Sequence, residues 1–155
     1  MKTNVTRFLS ALLFTVLMLN AVSMAFGADP KKKTRKVGDF NKISLAISAN
    51  LYLTQGTACE VIIEADEDIL NKIETEVENG YLKIEFEKWY NYRGNKDINV
   101  YVTIKDVNSL MVTGSGDIIN KTSINAEKLE MVVTGSGSIL INDLKVKEID
   151  AMISG

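Results

Sequence analysis

Histidine is missing from all 155 residues. That absence excludes a Ser-His-Asp or Cys-His nucleophile system and any His-based metal site. Cysteine occurs once, at Cys59, so no disulfide can form within the chain. In the string TACEV at 57–61, Cys59 reads as a half-buried small apolar residue near the start of a strand, or as a free thiol open to a bridge between chains. Gly114 and Gly116 are not followed by a glycine at 119, and no strand-to-helix context surrounds them, so there is no dinucleotide loop. A phosphate-binding Lys loop is also lacking, as is any repeated carboxylate cluster. Asp117 follows the glycines, but the double glycine and nine-residue period of calcium-binding coils are not there. The residues assign no catalytic group, no metal and no cofactor, and the chain reads as a non-enzyme.

Positive charge is scarce outside one run. From position 37 onward there are 11 basic residues against 19 acidic ones, a net −8. Such a body is a poor partner for nucleic acid. Five basic residues crowd into KKKTRK at 31–36, which could touch anionic lipid heads or acidic glycans. The reading adopted is a solvated linker over 28–36. Before it, Lys2 and Arg7 precede a mostly apolar run at 8–22, and Ser23, Ala25 and Gly27 offer small residues for cleavage. This pattern predicts a secretory signal peptide over 1–27, cut near 25–28. The run is short for a membrane span of about 20 residues. An exported chain of 128 residues follows, with one domain expected over 37–155.

What the sequence does have is a phrase written twice and begun again. Residues 110–118 read LMVTGSGDI, residues 131–139 read MVVTGSGSI, and residues 151–155 read AMISG. Gly114, Gly135 and Gly155 are spaced by 21 and 20 residues. By strand parity, Leu110, Val112, Gly114, Gly116 and Ile118 share one face, as do Met131, Val133, Gly135, Gly137 and Ile139. Thr113 and Ser115, and then Thr134 and Ser136, point the other way. Glycine at an inward position permits a bend and a close backbone approach. Each TGSG therefore reads as a corner between short strands, and the period as a stack of turns. In register, Thr113 would lie over Thr134 and Ser154, and Ser115 over Ser136. Such a hydroxyl ladder could bind a sugar or an ion, or its members could bond one another and the backbone.

Upstream, Ile43, Leu45, Ile47, Ala49, Leu51 and Leu53 keep a strict period of two. This is a strong strand signal, interrupted at 48–50 by a degenerate corner with Ala49 in the glycine-like place. A second strand is expected over 60–64, and a short helix over 67–72 capped by Asp66. Alternating runs at 73–77 and 81–87 flank Asn79 and Gly80, which predicts a hairpin. A helix through Ile69, Leu70, Ile73 and Val77 is the competing reading. Trp89, Tyr90, Tyr92 and Arg93 then crowd a polar loop. Flat faces beside donors suit sugar stacking, though Trp89 and one tyrosine could instead fold back over the core. A strand over 98–104 leads into the first TGSG phrase.

The string FNKI at 40–43, NGYLKI at 79–84 and the TGSG strings at 113–116 and 134–137 occur in an order that resembles the bacterial family "putative auto-transporter adhesin, head GIN domain". The resemblance covers residues 37–155. It implies a parallel β-solenoid. With the patterns read above, the expected fold is all-β and β-helix-like, with an N-terminal strand and hairpin region and at most one short helix, and right-handed because parallel coils with short crossovers favour that hand. It also implies export to the cell surface, exterior or periplasm, an adhesive role without catalytic residues, and a cell-surface glycan or protein as partner. The second functional reading is a soluble glycan-binding module built on Trp89, Tyr90, Tyr92 and Arg93. Members of the family run through further glycine-rich coils. The expectation is therefore that the sequence is truncated, or that its open last coil supports self-association.

Overall fold

The structure is a computed structural model that describes residues 30–94 and 96–155. The expected signal peptide and the first residues of the expected linker lie outside the described residues. In chain order the elements are β1 (Lys31–Arg35), β2 (Lys42–Leu45), β3 (Asn50–Gln55), β4 (Glu60–Ala65), α1 (Glu67–Leu70), β5 (Ile73–Glu78) and β6 (Tyr81–Phe86). They continue with β7 (Asn99–Ile104), β8 (Ser109–Gly114), β9 (Asp117–Gly135) and β10 (Ser138–Ser154).

The strands form one sheet in the order β1-β4-β7-β3-β9-β8-β2-β6-β5, with β10 added along β9. It is mixed. β2 lies parallel between β6 and β8, and β3 lies parallel between β7 and β9. The pairs β1–β4, β4–β7 and β5–β6 are antiparallel. This overturns the expected parallel β-solenoid, and the right-handed winding expected with it. A solenoid needs each turn to advance in one sense, but the chain reverses after β3 and again at Asn79 and Gly80. The sheet instead wraps into a nearly closed, barrel-like form around a shared core. Parallel in-register pairing at the glycine phrases is real but local to β8, β9 and β10.

The core follows the parity of the strands. Ile43, Leu45, Ile47, Ala49, Leu51 and Leu53 are all buried, although the chain bends between β2 and β3. Leu110, Val112, Ile118 and Val133 are buried too, with Met131 and Ile139 packed beside them. Thr113, Ser115, Thr134 and Ser136 face solvent. At the hairpin, Asn79 (φ 52°) and Gly80 (φ 78°) take the paired left-handed conformations of a two-residue turn. The competing long helix is absent, and α1 is a single turn. Asp66 does not cap it through its side chain; its carboxylate pairs with Lys96.

The basic run expected to be a linker is an edge strand. β1 pairs with β4 in register from Lys31 against Ala65 to Arg35 against Val61. Lys32 reaches Glu64 at 3.7 Å and lies over the Tyr101 ring, and Arg35 donates to the Leu70 carbonyl at 2.6 Å. Cys59 is half-buried, with Sγ 3.5 Å from the Phe40 carbonyl.

The glycines explain the bends. Between β8 and β9 the chain turns at Ser115 and Gly116, and between β9 and β10 at Ser136 and Gly137. A Cβ on Gly116 would strike the carbonyl of Ile47, and one on Gly137 the carbonyl of Gly116. A Cβ on Gly135 would sit 2.5 Å from the Gly114 carbonyl oxygen, in a backbone at φ +118°. Gly114 is at φ +109° but has open space around the missing Cβ. These differences rank the substitutions. Gly135→Ala should cost about 2–4 kcal/mol, from strain and collision together. Gly114→Ala should cost only the left-handed strain, about 1–2 kcal/mol. Ser115→Ala should stay within about 0.5 kcal/mol. Urea unfolding of the three variants measures the order, and equal losses would dismiss backbone contact as the cause.

Candidate binding surface at the aromatic loop

The loop between β6 and β7 is anchored by its tyrosines. Tyr90 and Tyr92 lie against Phe86 at the end of β6, with ring centroids 5.2 and 5.5 Å away. Tyr92 Oη donates to the Lys96 carbonyl at 2.9 Å and accepts from the Lys96 N–H at 3.1 Å. Gly94 passes so close to the Tyr92 ring that a Cβ there would lie 2.6 Å from it. Lys72 salt-bridges Glu87 at 2.6 Å and lies over the Tyr90 ring. The Glu87 hydrogen bond holds the Lys72 ammonium above its ordinary pKa, and Asp66 does the same for Lys96.

Trp89 does not fold back. It is 99% exposed at the loop tip, with φ +73°. A bulky residue in that region carries about 1–3 kcal/mol of backbone strain. Of the four loop residues expected to form a platform, two thus serve as anchors and Trp89 stands free. Arg93 is exposed.

Beside the loop runs an open cleft of about 230 Å³. Its polar lining comes from Ser48 and Asn50 at the first bend, Tyr92, Lys96 and Asp97 of the loop, and Ser115 of the first TGSG. Tyr92 and Ser115 therefore meet on one surface, while Trp89, Tyr90 and Arg93 are not part of the lining. Asn50, Lys96 and Asp97 had no sequence signal, because only folding brings the β2–β3 bend under the loop. The cleft offers hydroxyl, amide, ammonium and carboxylate groups, a set that can hydrogen-bond a polyhydroxylated ligand.

In backbone register Thr113 lies opposite Thr134, and Thr134 opposite Ser154, across parallel strands. The Ser136 N–H donates to the Gly114 carbonyl at 2.8 Å. Ser138 Oγ donates to the Asp117 carboxylate. Among the described residues no group of three or more Cys, Asp or Glu side chains is placed to hold a metal ion.

The fold and this cleft define an all-β domain with an aromatic surface loop. The chain belongs to the family described as "Putative auto-transporter adhesin, head GIN domain", whose model matches residues 39–155. No curated protein matches it. Among solved structures it is similar to a putative adhesin from Bacteroides fragilis, with TM-score 0.65, 21% identity, and coverage of 73% of this chain and 62% of that one. It is also similar to a putative lipid binding protein from Parabacteroides distasonis, with TM-score 0.62, 21% identity, and coverage of 82% and 63%. A putative adhesin from Parabacteroides merdae gives TM-score 0.61 at 17% identity, with coverage of 77% and 59%. The chain thus spans about three fifths of the length of these solved proteins.

The anchoring scheme separates two kinds of aromatic. Tyr92→Ala should destabilise the protein by about 1–3 kcal/mol, through the two hydrogen bonds and the ring contacts it loses. Trp89→Ala should leave stability within about 0.5 kcal/mol of the parent, or raise it. Thermal unfolding followed by circular dichroism measures both, and a large loss at Trp89 would mean the indole packs on the fold.

Proposed function

We propose that the chain is a non-catalytic, exported binding domain of the adhesin-head type, acting at the cell surface or in the periplasm. The observation that carries this reading is the exposed Trp89, held in a strained backbone on the loop whose later residues line a polar cleft, in a chain of this family. The family supplies the adhesive class. The loop supplies a place for contact. Membership alone leaves the partner open, as a glycan or a protein.

A second reading is favoured by one feature of the site. An indole on the loop that also lines a cleft of hydroxyl, amide and carboxylate groups suits a sugar, whose ring would stack on the aromatic face while its hydroxyls bond the polar lining. On this reading the chain is a glycan-binding module. Trp89 provides the stacking face and Asp97, Asn50 and Ser115 the hydrogen bonds. Tyr90 and Tyr92 hold the loop, and Arg93 adds charge near its tip.

Two measurements test these readings. Fractionation of cells, with protease access to the intact surface, should place the protein outside the cytoplasm; a cytoplasmic pool would refute export. A glycan array probed with dye-labelled protein should give saturable binding to one sugar class. Trp89→Ala should lower that affinity about tenfold or more, as loss of one stacking contact implies. Binding untouched by this change would remove the loop from the site. Phospholipid vesicles included as a separate arm would bind in place of sugars if the indole inserts into lipid.

A further inference from the structure

The cleft beside the aromatic loop has its donors tied up inside the protein and its acceptors left over. Tyr92 Oη spends its hydrogen on the Lys96 carbonyl. Asn50 Nδ2 donates to Asn99 Oδ1 at 3.5 Å. The Lys96 ammonium is salt-bridged to Asp66, which is not part of the lining. The Asp66 hydrogen bond, with the charges of Asp66 and Asp68 behind it, holds Lys96 above its ordinary pKa. Of the other cations in the loop, Lys88 and Arg93, neither lines the cleft. Asp97 does line it, is exposed, and makes no salt bridge among the described residues. The Asn50 amide oxygen and the Ser48 and Ser115 hydroxyls can accept beside it. Asp117 lies opposite Asn50 in register, one strand spacing away, and carries a second carboxylate.

We infer that the cleft selects among sugars by charge, taking an ammonium-bearing sugar before a neutral one and a neutral one before an acidic one, with Asp97 setting the order. This rests on the glycan reading above and adds the charge of the ligand to it. A protonated sugar amine brings three donors and a positive charge to Asp97. A hydroxyl brings one donor and no charge. A uronic carboxylate brings a second negative charge, and the lining holds no uncommitted cation to meet it. Lys96 can turn to such a ligand only by leaving Asp66, whose side chain is 21% exposed, without its partner. The domain as a whole, at a net −8 from position 37 onward, pushes the same way.

The test is calorimetric titration of the purified chain with oligomers of glucosamine, N-acetylglucosamine and glucuronic acid, matched in length. It is run at mildly acidic pH, where the sugar amine carries its proton. Affinity should fall in that order, by about fivefold at each step in low salt, and the steps should narrow as salt is added. Asp97→Asn should flatten the first step, and Asp97→Lys should reverse the order. Both variants should melt with the parent, because the Asp97 side chain is exposed. Trp89→Ala should weaken every oligomer alike, since stacking does not read charge. Equal affinities, tightest binding of the glucuronic acid oligomer, or an order that survives Asp97→Lys would overturn the inference and leave the glycan reading standing. Binding of none of these oligomers would overturn it too, and the wider glycan array then decides the glycan reading separately. An oligolysine peptide is the last arm. If it binds through Asp97 as tightly as the glucosamine oligomer, the cleft reads ammonium alone and its assignment to a sugar is overturned.

Discussion

Close approach of one backbone to another is the constraint on which the β8–β9–β10 region depends. At Gly116 and Gly137 the chain bends with no room for a side chain, because carbonyl oxygens of the neighbouring bend, at Ile47 and Gly116, stand where a Cβ would be. The bend fixes the register. Once Gly114 is opposite Gly135, Val112 must be opposite Val133 and Leu110 opposite Met131. A slip of one residue would turn the apolar row outward and drive a Cβ into a carbonyl. The first bend, at 46–49, obeys the same rule from the other side. Its carbonyls at Ile47 and Ala49 receive Gly116, and the Asp117 N–H donates to Ala49 at 2.9 Å. Glycine is thus needed on only one member of that contact, which is why an alanine can stand at 49.

Strand parity was legible in the residues, and so was the Asn-Gly hairpin. Period-two patterns report only local geometry, and local geometry is the same in a solenoid and in a mixed sheet. The sense in which neighbours run is decided by long-range pairing. β4 and β7 are about 40 residues apart and antiparallel, and no signal in either strand says so. Polar ties were equally hidden. Gln55 donates to the Lys105 and Asn125 carbonyls and accepts from the Asn125 N–H, joining β3 to the end of β7 and the middle of β9. Asn120, fully buried, donates to the Leu53 carbonyl at 2.9 Å. A lone Gln or Asn carries no periodicity. The composition of the KKKTRK run matches a linker, while the groups that accept it, Glu64 of β4 and Glu67 and the Leu70 carbonyl of α1, lie about 30 residues away.

The aromatic loop shows how one composition divides into two roles. A cluster of three aromatics in a polar loop gave no hint of which would pack. Tyr92 is fixed because its hydroxyl can both donate to and accept from Lys96 while its ring covers Phe86. An indole has a donor but no acceptor, so it could not close that ring of bonds. Trp89 is left at the tip, where its backbone is strained and its side chain makes no use of the core. Asparagine or glycine would take that conformation at lower cost. A residue that burdens the fold and adds nothing to its packing is one whose reason lies outside the fold. The same loop thus carries at its tip an indole free of the fold, and farther along, at Tyr92, Lys96 and Asp97, part of the polar lining of a cleft.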